Sequence, residues 1–489
     1  MKLDEERTLT PIGEEFKRVD YSYDLISGNV NEVAIQAGEH DAWYHRYTYD
    51  ADNRITNVHT SRDGNSWVQD AKYFYYDYGP LGRMETGDKK VQGTDYAYTI
   101  HGWIKGVNTN LLKSSSDIGQ DGEVSAGNLN RYVGQDAMGY TLSYYRGDYQ
   151  SRQNTGTNFT NDVGLASAEI TYHDLFNGNI AQMATALTAT DNSKLDLMVN
   201  NYTYDPLNRL RQMNSYLSGG TYNYADAVNA GPGRYSTDVE YDANGNIASL
   251  SRLDDDAQPM DQLTYYYDDG TGTGVQTSNL NNPQDMTNRL LYVTDGAGPT
   301  RFKTDLRTQQ QGNYGYDAIG QLIRDDREQI ADIEWLVTNK VSKVKRTGQP
   351  MTIDYYDANN TLQTVSSYPD DLEFRYDAMG NRCIKITKPY DASGNLLGMD
   401  HWTWTYYIRD ATGNILTTYT RTFQDLGGGN YTEAYVPDEF HIYGAKRLGL
   451  EYYYNIGTGD PTQQNWIDNG SGAVFNANGE VNYNALSPN

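Results

Sequence analysis

The seven histidines are the first residues to test for chemistry, because an imidazole can act as a metal ligand or as a general base. No two of them have the HExxH spacing or another short metal-binding spacing. His173-Asp174 is an adjacent histidine–acid pair, but no G-x-S-x-G elbow supplies it with a nucleophile. We therefore predict no catalytic residue among the histidines. The seven are His40, His45, His59, His101, His173, His401 and His441.

Acidic residues are abundant, so facing carboxylates of the kind that a glycosidase uses will arise by chance. Asp254-Asp255-Asp256 is most simply a solvated loop. Segments such as DANGN and DASGN resemble calcium loops, but their glycine falls at position 4 rather than 6 and no glutamate closes the loop. We predict no metal site, with adventitious calcium at an acidic rim as the alternative.

The remaining cofactor motifs are also missing from the sequence. Neither Gly270 to Gly274 nor Gly427-Gly428-Gly429 is followed by the lysine of a phosphate-binding loop, so both are predicted to be plain loops. The single cysteine, Cys383, excludes an internal disulfide and cysteine-built zinc or iron–sulfur sites. We predict no bound cofactor.

The charge of the chain restricts its partners. Its 39 basic and 65 acidic residues give a net charge of −26, which repels nucleic acid and anionic membranes. No stretch approaches the length of apolar residues that a membrane helix needs, and Met1 to Thr10 has neither the basic nor the apolar part of a signal peptide. We expect no nucleic-acid partner, no membrane insertion and no export signal in this sequence.

The large side chains indicate what kind of elements position these residues. The 489 residues include 45 tyrosines but only 9 phenylalanines and 7 tryptophans. Near-continuous aliphatic runs typical of buried parallel strands are not present, which disfavours a doubly wound α/β enzyme. Tyrosine suits half-exposed β surfaces, where its ring packs and its hydroxyl reaches a polar partner.

A short repeat runs through the chain, in which Tyr-Asp is followed by a four-residue turn. The aspartates are separated by about 20 residues or a multiple of that, which is the length of one hairpin with its connections. Degenerate copies are GPLGRM from Gly79 and NANGEV from Asn476. The clear copies are YTYDADNRI from Tyr47, YTYDPLNRL from Tyr202, VEYDANGNI from Val239, YGYDAIGQL from Tyr314, YYDANNTL from Tyr355, FRYDAMGNR from Phe374, YDASGNL from Tyr390 and YIRDATGNI from Tyr407.

Each copy is predicted to be a type I turn closed by a G1 bulge. The first position is an aspartate that can bond the backbone of the turn, and the fourth position needs a positive φ. Proline is assigned to the second position at Pro80 and Pro206. This register predicts that Tyr241 lies directly opposite Ile247 on the neighbouring strand. The equivalent pairs in other copies are Tyr49 with Ile55, Tyr204 with Leu210, and Tyr316 with Leu322. The fourth position is assigned to Gly82, Gly245, Gly320, Gly380, Gly394 and Gly413, and to Asn53, Asn208 and Asn360.

The fold class predicted from these patterns is all-β, with less than about a tenth of the residues in helices. Residues Ile330 to Arg346 have a weakly helical pattern but are rich in β-formers, so we predict strand. Residues Asn179 to Leu197 fit either type.

The Tyr-Asp series resembles the YD repeats of the Rhs family, which includes bacterial Rhs polymorphic toxins, the C component of insecticidal toxin complexes, and teneurins. The resemblance extends from about Tyr21 to Leu450. HIYGAKRLGL, His441 to Leu450, looks like the segment that opens the Rhs-associated core, and YTIHGWIKGVN, Tyr98 to Asn108, looks like a segment of bacterial Rhs proteins. The resemblance implies a β-hairpin ribbon that spirals into a hollow shell, of which this chain would form a part.

The resemblance also implies a division of the chain. Residues 1–455 would be the YD-repeat shell, with 84–200 as an irregular part of the same body, and 456–489 would be the truncated start of the core region. The family cuts itself at an Asp-Pro-x-Gly motif. The pairs Asp205-Pro206 and Asp460-Pro461 lack the glycine, so we expect a chemically inert piece of a longer protein.

The function implied is that of a non-enzymatic encapsulation shell of a secreted Rhs-type polymorphic toxin in interbacterial competition. Its partners would be its own C-terminal toxin domain, absent from this chain, or components of a secretion system. It would be located outside the cell or on the bacterial surface. The alternative is an adhesive or glycan-binding surface module, because tyrosine rings stack on sugars. A repeat-built carbohydrate-active enzyme is a third possibility.

Overall fold

The fold is seen in a computed structural model of the chain. The residues it describes are 17–109, 112, 117–125, 127–150, 174–189, 193, 195, 197–217, 233–268, 275–276, 287–357, 359–427 and 430–452.

The described residues form 29 β-strands and one 3-10 turn, Met399–His401, and contain no α-helix. The prediction of an all-β fold is therefore confirmed. Within these residues, no helix has the length and hydropathy that a membrane span requires. The strands are β1 Val19–Tyr23, β2 Val30–Ile35, β3 Trp43–Tyr49, β4 Ile55–Ser61, β5 Val68–Tyr75, β6 Leu81–Thr86, β7 Gln92–Tyr98, β8 Ile104–Val107, β9 Met138–Ser143, β10 Gln182–Leu187, β11 Met198–Tyr204, β12 Leu210–Leu217, β13 Thr237–Tyr241, β14 Ile247–Leu253, β15 Pro259–Tyr267, β16 Val275–Gln276, β17 Leu290–Asp295, β18 Tyr314–Tyr316, β19 Leu322–Asp325, β20 Ile330–Trp335, β21 Val341–Arg346, β22 Met351–Tyr356, β23 Leu362–Ser367, β24 Asp371–Tyr376, β25 Arg382–Lys388, β26 Thr403–Arg409, β27 Ile415–Gly427, β28 Asn430–Tyr443 and β29 Arg447–Tyr452.

The strands pair in the order of the chain, always antiparallel, so the architecture is a continuous series of hairpins. From β1 to β15 each strand bonds to the next, and β17 continues the ladder on β15. A second ladder runs from β18 through β21 to β24 and on to β29, while β22 and β23 form a separate hairpin. Such a meander satisfies most of its backbone groups locally, because most strands have a partner one turn away, whereas β9 with β10 and β21 with β24 pair across longer insertions.

The Tyr-Asp turns have the predicted conformation. Gly245, Gly320 and Gly380 have φ of 94°, 91° and 81°, and Asn208 replaces glycine in this slot at 62°. Tyr241 pairs with Ile247, as predicted. The pairs at Tyr49, Tyr204 and Tyr316 are also confirmed.

One turn assignment was wrong. The turn between β5 and β6 starts at Tyr76, whose N–H donates to the Pro80 carbonyl, and Gly79 takes the positive φ at 118°. Gly82 therefore lies inside β6, and Pro80 is the fifth turn residue rather than the second. In an aspartate turn the fifth N–H donates to the aspartate, as Asn246 does to Asp242. Tyr76 offers no carboxylate, so a proline without an N–H loses nothing at that place.

Asp254-Asp255-Asp256 is also a repeat turn and not merely a solvated loop. The Asp254 N–H donates to the Gln258 carbonyl, and Ala257 takes the positive φ at 60°. The sequence concealed this copy because alanine replaces glycine in the left-handed slot.

The two segments of mixed pattern are strands where they are described. Ile330 to Arg346 is the hairpin β20–β21, as predicted, and β10 lies within Asn179 to Leu197. The ladder passes through residues 84–200 by way of β7 to β10. Residues Gly270 to Gly274, Asn476 and the whole of 456–489 lie outside the described residues, so the division of the chain into regions stays a prediction.

Candidate functional site

The first strands of the chain pack face to face against its last strands, and we call this contact the seam. On one side Val33, Ile35 and Trp43 are buried, and on the other Leu416 and Phe440. The rings of Trp43 and Phe440 lie 5.2 Å apart between centroids. Two further clusters continue the contact, as Val19 packs against the cluster of Trp404 and Tyr406, and Leu448 against that of Val58 and Tyr73. The ribbon therefore returns to its own beginning.

Polar contacts accompany this apolar packing. Nε2 of His45 lies 2.9 Å from the carbonyl oxygen of His441, across 396 positions of sequence, and the bond requires the Nε2–H tautomer. The hydroxyl of Tyr419 donates to Asp41 at 2.7 Å, and Lys17 pairs with the same carboxylate at 2.7 Å. Buried hydrogen bonds of this kind fix which strand faces which, because a shifted register would leave their members unpaired.

The segment HIYGAKRLGL forms part of the seam. His441 and Tyr443 end β28, and the turn that follows leads into β29. A Cβ placed on Gly444 would collide with the hydroxyl of Tyr73 in β5, so only glycine permits this approach. The motif singled out by resemblance is thus the piece that docks the end of the chain onto its start.

The two seam histidines are held neutral. Burial lowers the pKa of His45 to about 4, with the His441 carbonyl opposing the shift. Burial also lowers the pKa of His441 to about 4. At neutral pH neither imidazole is protonated, so neither adds a positive charge to the seam.

A second recurring arrangement explains the excess of tyrosine. The tyrosine that ends a strand before a turn donates its hydroxyl to the carbonyl of the first residue of an earlier strand, usually the strand directly before its own. Phenylalanine would fill the same space but leave that carbonyl without this donor. These bonds, 2.8 to 3.0 Å long, are Tyr49 to Val30, Tyr75 to Ile55, Tyr98 to Leu81, Tyr267 to Ile247, Tyr316 to Leu290 and Tyr376 to Val341.

A buried cluster of charges, which we call the Arg83 cluster, lies where β6 and β7 meet the segment after β8. Arg83 pairs with Asp95 and, at 2.7 Å, with Asp121. Its Nε lies 3.4 Å from Glu85, which also pairs with Lys90 at 3.0 Å. One oxygen each of Asp95, Asp117 and Asp121 lie within 4.8 Å of one another.

The crowding of carboxylates in this cluster shifts their pKa values upward. Burial, opposed by Arg83 and reinforced by Asp117 and Asp121, raises the pKa of Asp95 to about 7. Burial and the neighbouring Asp117 raise the pKa of Asp136 above the usual range of a carboxyl group. The arrangement can hold protons or a cation.

The residues that the sequence singled out do not converge on one site. Asp174 pairs with Arg146, whereas its neighbour His173 lies outside the described residues. The trio Asp254 to Asp256 pairs with Arg301. Cys383 is half-buried, and burial raises its thiol pKa.

Sequence reasoning missed the Arg83 cluster because its acids come from different elements. Two strands supply Glu85 and Asp95, and an irregular segment supplies Asp117, Asp121 and Asp136. The only signal in the sequence was Asp117 and Asp121 standing four residues apart in a stretch without repeats.

Comparison with known proteins does not assign a family. No family model matches the chain and no curated protein matches it. Among solved structures it is similar to a chain of TcdB2-TccC3-TEV at 12% identity and a TM-score of 0.28, covering 95% of this chain and 23% of that one. It is also similar to a chain of TcdB2-TccC3 at 12% identity and a TM-score of 0.27, covering 93% of this chain and 24% of that one. A porin-like protein from Bacteroides uniformis is similar at 9% identity and a TM-score of 0.15, covering 53% of this chain and 91% of that one.

The chain thus spans about a quarter of the length of the two TcdB2-TccC3 chains. TM-scores of this size carry no argument about function. The resemblance to the Rhs family therefore continues to depend on the Tyr-Asp turns and the two motifs, and it enters below as a proposal.

Proposed function

We propose that this chain is part of a non-enzymatic encapsulation shell of the Rhs type, whose cargo is a C-terminal toxin domain of the same secreted polypeptide. The observation that carries the proposal is the seam. A hairpin ribbon whose first strands pack on its last strands has to curve back on itself, which is the path that the wall of a hollow shell would take.

The construction of the ribbon favours enclosure over catalysis. Within each of the two ladders neighbouring strands are bonded by backbone pairing, and tyrosine hydroxyls add bonds between them, so the wall is continuous over long stretches of the described chain. In the described residues several buried polar groups cross-link distant strands, as Tyr419 and Lys17 do through Asp41. Such a ribbon suits the wall of a shell, and the toxic activity would belong to the enclosed domain.

Protease protection tests the proposal. A protease-labile reporter domain is fused after Asn489, and in a matched control the same reporter is fused before Met1. Encapsulation predicts that trypsin removes the N-terminal reporter much faster than the C-terminal one. Equal digestion of the two reporters would contradict enclosure by this chain.

The proposal includes chemical inertness, which intact-mass spectrometry checks. The purified chain should keep its mass during incubation, because the Asp-Pro-x-Gly motif is not in its sequence. A discrete fragment that appears with time, and is abolished by Asp460→Asn, would contradict this part of the proposal.

Glycan binding is the second candidate, favoured by half-exposed tyrosine pairs. Tyr266 and Tyr292 stack with ring centroids 4.3 Å apart, and Tyr78, which is 65% exposed, stacks on Tyr76. A glycan array distinguishes the candidates, because a binding module should retain a defined glycan and lose it in Tyr266→Ala. A shell wall should retain none.

A further inference from the structure

The Arg83 cluster carries more negative than positive charge in a place that water hardly reaches. Its acids are Glu85, Asp95, Asp117, Asp121 and Asp136, and its bases are Arg83 and Lys90. Asp117 and Asp121 are almost completely buried, with exposed fractions of 7% and 2%. Carboxylates that crowd together without compensation are unfavourable at low dielectric, so this excess needs a neutralising partner.

Two buried carboxylate oxygens, Oδ1 of Asp117 and Oδ2 of Asp121, accept no hydrogen bond from an N–H or hydroxyl group. The neighbouring Asp136 carboxyl forms a side-chain hydrogen bond with Asp117, so Oδ2 of Asp121 is the acceptor left without a donor. The opposite oxygens are occupied, since Asp117 Oδ2 accepts the Asp121 N–H at 3.0 Å and Asp121 Oδ1 binds Arg83. A buried acceptor without a donor is rare and requires an explanation.

Two glycines make room for the cluster. A Cβ on Gly93 would overlap the Asp121 carboxylate and the Arg83 guanidinium, and a Cβ on Gly119 would overlap Arg83 and the Asp95 carboxylate. Neither glycine has a positive φ, so their identity reflects space rather than backbone conformation. The carboxylates of Asp95 and Asp121 therefore lie directly against the backbone of Gly93 and Gly119.

We propose that Asp95, Asp117 and Asp121 bind one Ca²⁺ ion beside Arg83. The donors are three carboxylates, which are hard oxygen ligands. They lie in an irregular arrangement, which Ca²⁺ accepts with its variable coordination, whereas Mg²⁺ demands a near-octahedral site and keeps its waters.

The ion would fasten an irregular segment to the ribbon. Asp95 belongs to β7, whereas Asp117 and Asp121 belong to the segment that connects β8 to β9. Other contacts already hold this segment in place, among them Gln92 donating to Asp136 at 2.7 Å. The proposal does not depend on the encapsulation function, because the ion would join β7 to the segment before β9 and would not join the first strands to the last.

Calcium titration of the chelator-treated chain tests the site. The protein is treated with EDTA, dialysed, and titrated with CaCl₂ by isothermal calorimetry, with MgCl₂ in parallel. We expect one Ca²⁺ per chain, weaker Mg²⁺ binding, and a melting temperature that rises with free Ca²⁺ by mass action. A chain that neither binds Ca²⁺ nor gains melting temperature overturns the proposal.

Asp117→Asn is the informative variant. An asparagine keeps an oxygen for the Asp121 N–H but removes one charge and one ligand. We expect Ca²⁺ affinity to fall at least about tenfold, while the melting temperature in EDTA stays the same or rises because repulsion is relieved. Unchanged Ca²⁺ affinity would overturn the proposal.

The matched control is Asp255→Asn, in the other acidic trio of the described residues. This variant should leave Ca²⁺ binding unchanged. If Asp255→Asn instead abolishes Ca²⁺ binding, the ion binds at the Asp254–Asp256 turn and the assignment to the Arg83 cluster is overturned. If Asp117→Asn does not fold, Asp95→Asn takes its place with the same two outcomes.

Discussion

At the scale of single residues, the tyrosine hydroxyl is what distinguishes this ribbon from an ordinary stack of aromatic hairpins. Six tyrosines that precede a turn bond a backbone carbonyl at the start of an earlier strand. This use of the hydroxyl explains why tyrosine outnumbers phenylalanine 45 to 9.

Removing one such hydroxyl should weaken the fold. Tyr267 is 6% exposed and donates to the Ile247 carbonyl at 3.0 Å. We expect Tyr267→Phe to lower the free energy of unfolding by about 1–2 kcal/mol, because it leaves a carbonyl without its donor. Urea denaturation followed by tyrosine and tryptophan fluorescence measures this change.

Tyr132→Phe is the control for that substitution. Tyr132 is 77% exposed, and the cation–π contact of its ring with Arg131 survives the loss of the hydroxyl. Equal effects of the two substitutions would mean that the interhairpin bond contributes nothing.

At the scale of the element, the turn decides the register of each hairpin. Gly245 has a φ of 94°, and a Cβ there would meet only Arg209 Nη1 at 3.5 Å, an ordinary contact. A substitution at this position therefore tests backbone strain rather than packing.

We expect Gly245→Val to lower the free energy of unfolding by about 1–3 kcal/mol, because a β-branched residue is strained at positive φ. Gly245→Asn should cost clearly less, since Asn208 holds the equivalent slot at a φ of 62°. Thermal melting of the two variants beside the wild type measures the difference. Valine and asparagine with the same effect would refute the strain argument.

The same elements show how far the sequence predicts the structure. The aspartate turns could be predicted because turn chemistry is local, and a positive φ restricts the residue type wherever it recurs. The turn at Tyr76 was misplaced by three residues because Gly79-Pro80 and Gly82 offered two competing registers. The turn at Asp254 was not recognised because its fourth position is Ala257 and not a glycine or an asparagine.

Contacts between distant residues were beyond local reasoning. Nothing near His45 or His441 in the sequence indicates that the two meet. The Arg83 cluster likewise depends on the path of the chain between β7 and β9. Such contacts follow from the curvature of the whole ribbon, which accumulates over many strands and has no signature in any single repeat.

At the scale of the whole molecule, the seam joins the two ends of the described chain and makes its stability sensitive to acid. His45 is fully buried, and its pKa is about 4 in the folded state against 6.5 for an ordinary histidine. Between these values the unfolded chain binds the proton more tightly, so folding is progressively penalised as the pH falls.

We therefore expect the contribution of His45 to be fully present above about pH 6.5 and to decline toward pH 4, by on the order of 3 kcal/mol in total. Asp70, whose pKa burial raises to about 6, has the opposite sign, because its neutral form is favoured in the fold. The measurement is therefore the difference in unfolding free energy between the wild type and His45→Gln from pH 4 to 8. Glutamine keeps a donor for the His441 carbonyl but does not titrate, so the wild type should lose stability relative to the variant as the pH falls. A difference that does not change with pH would show that the seam does not hold His45 neutral.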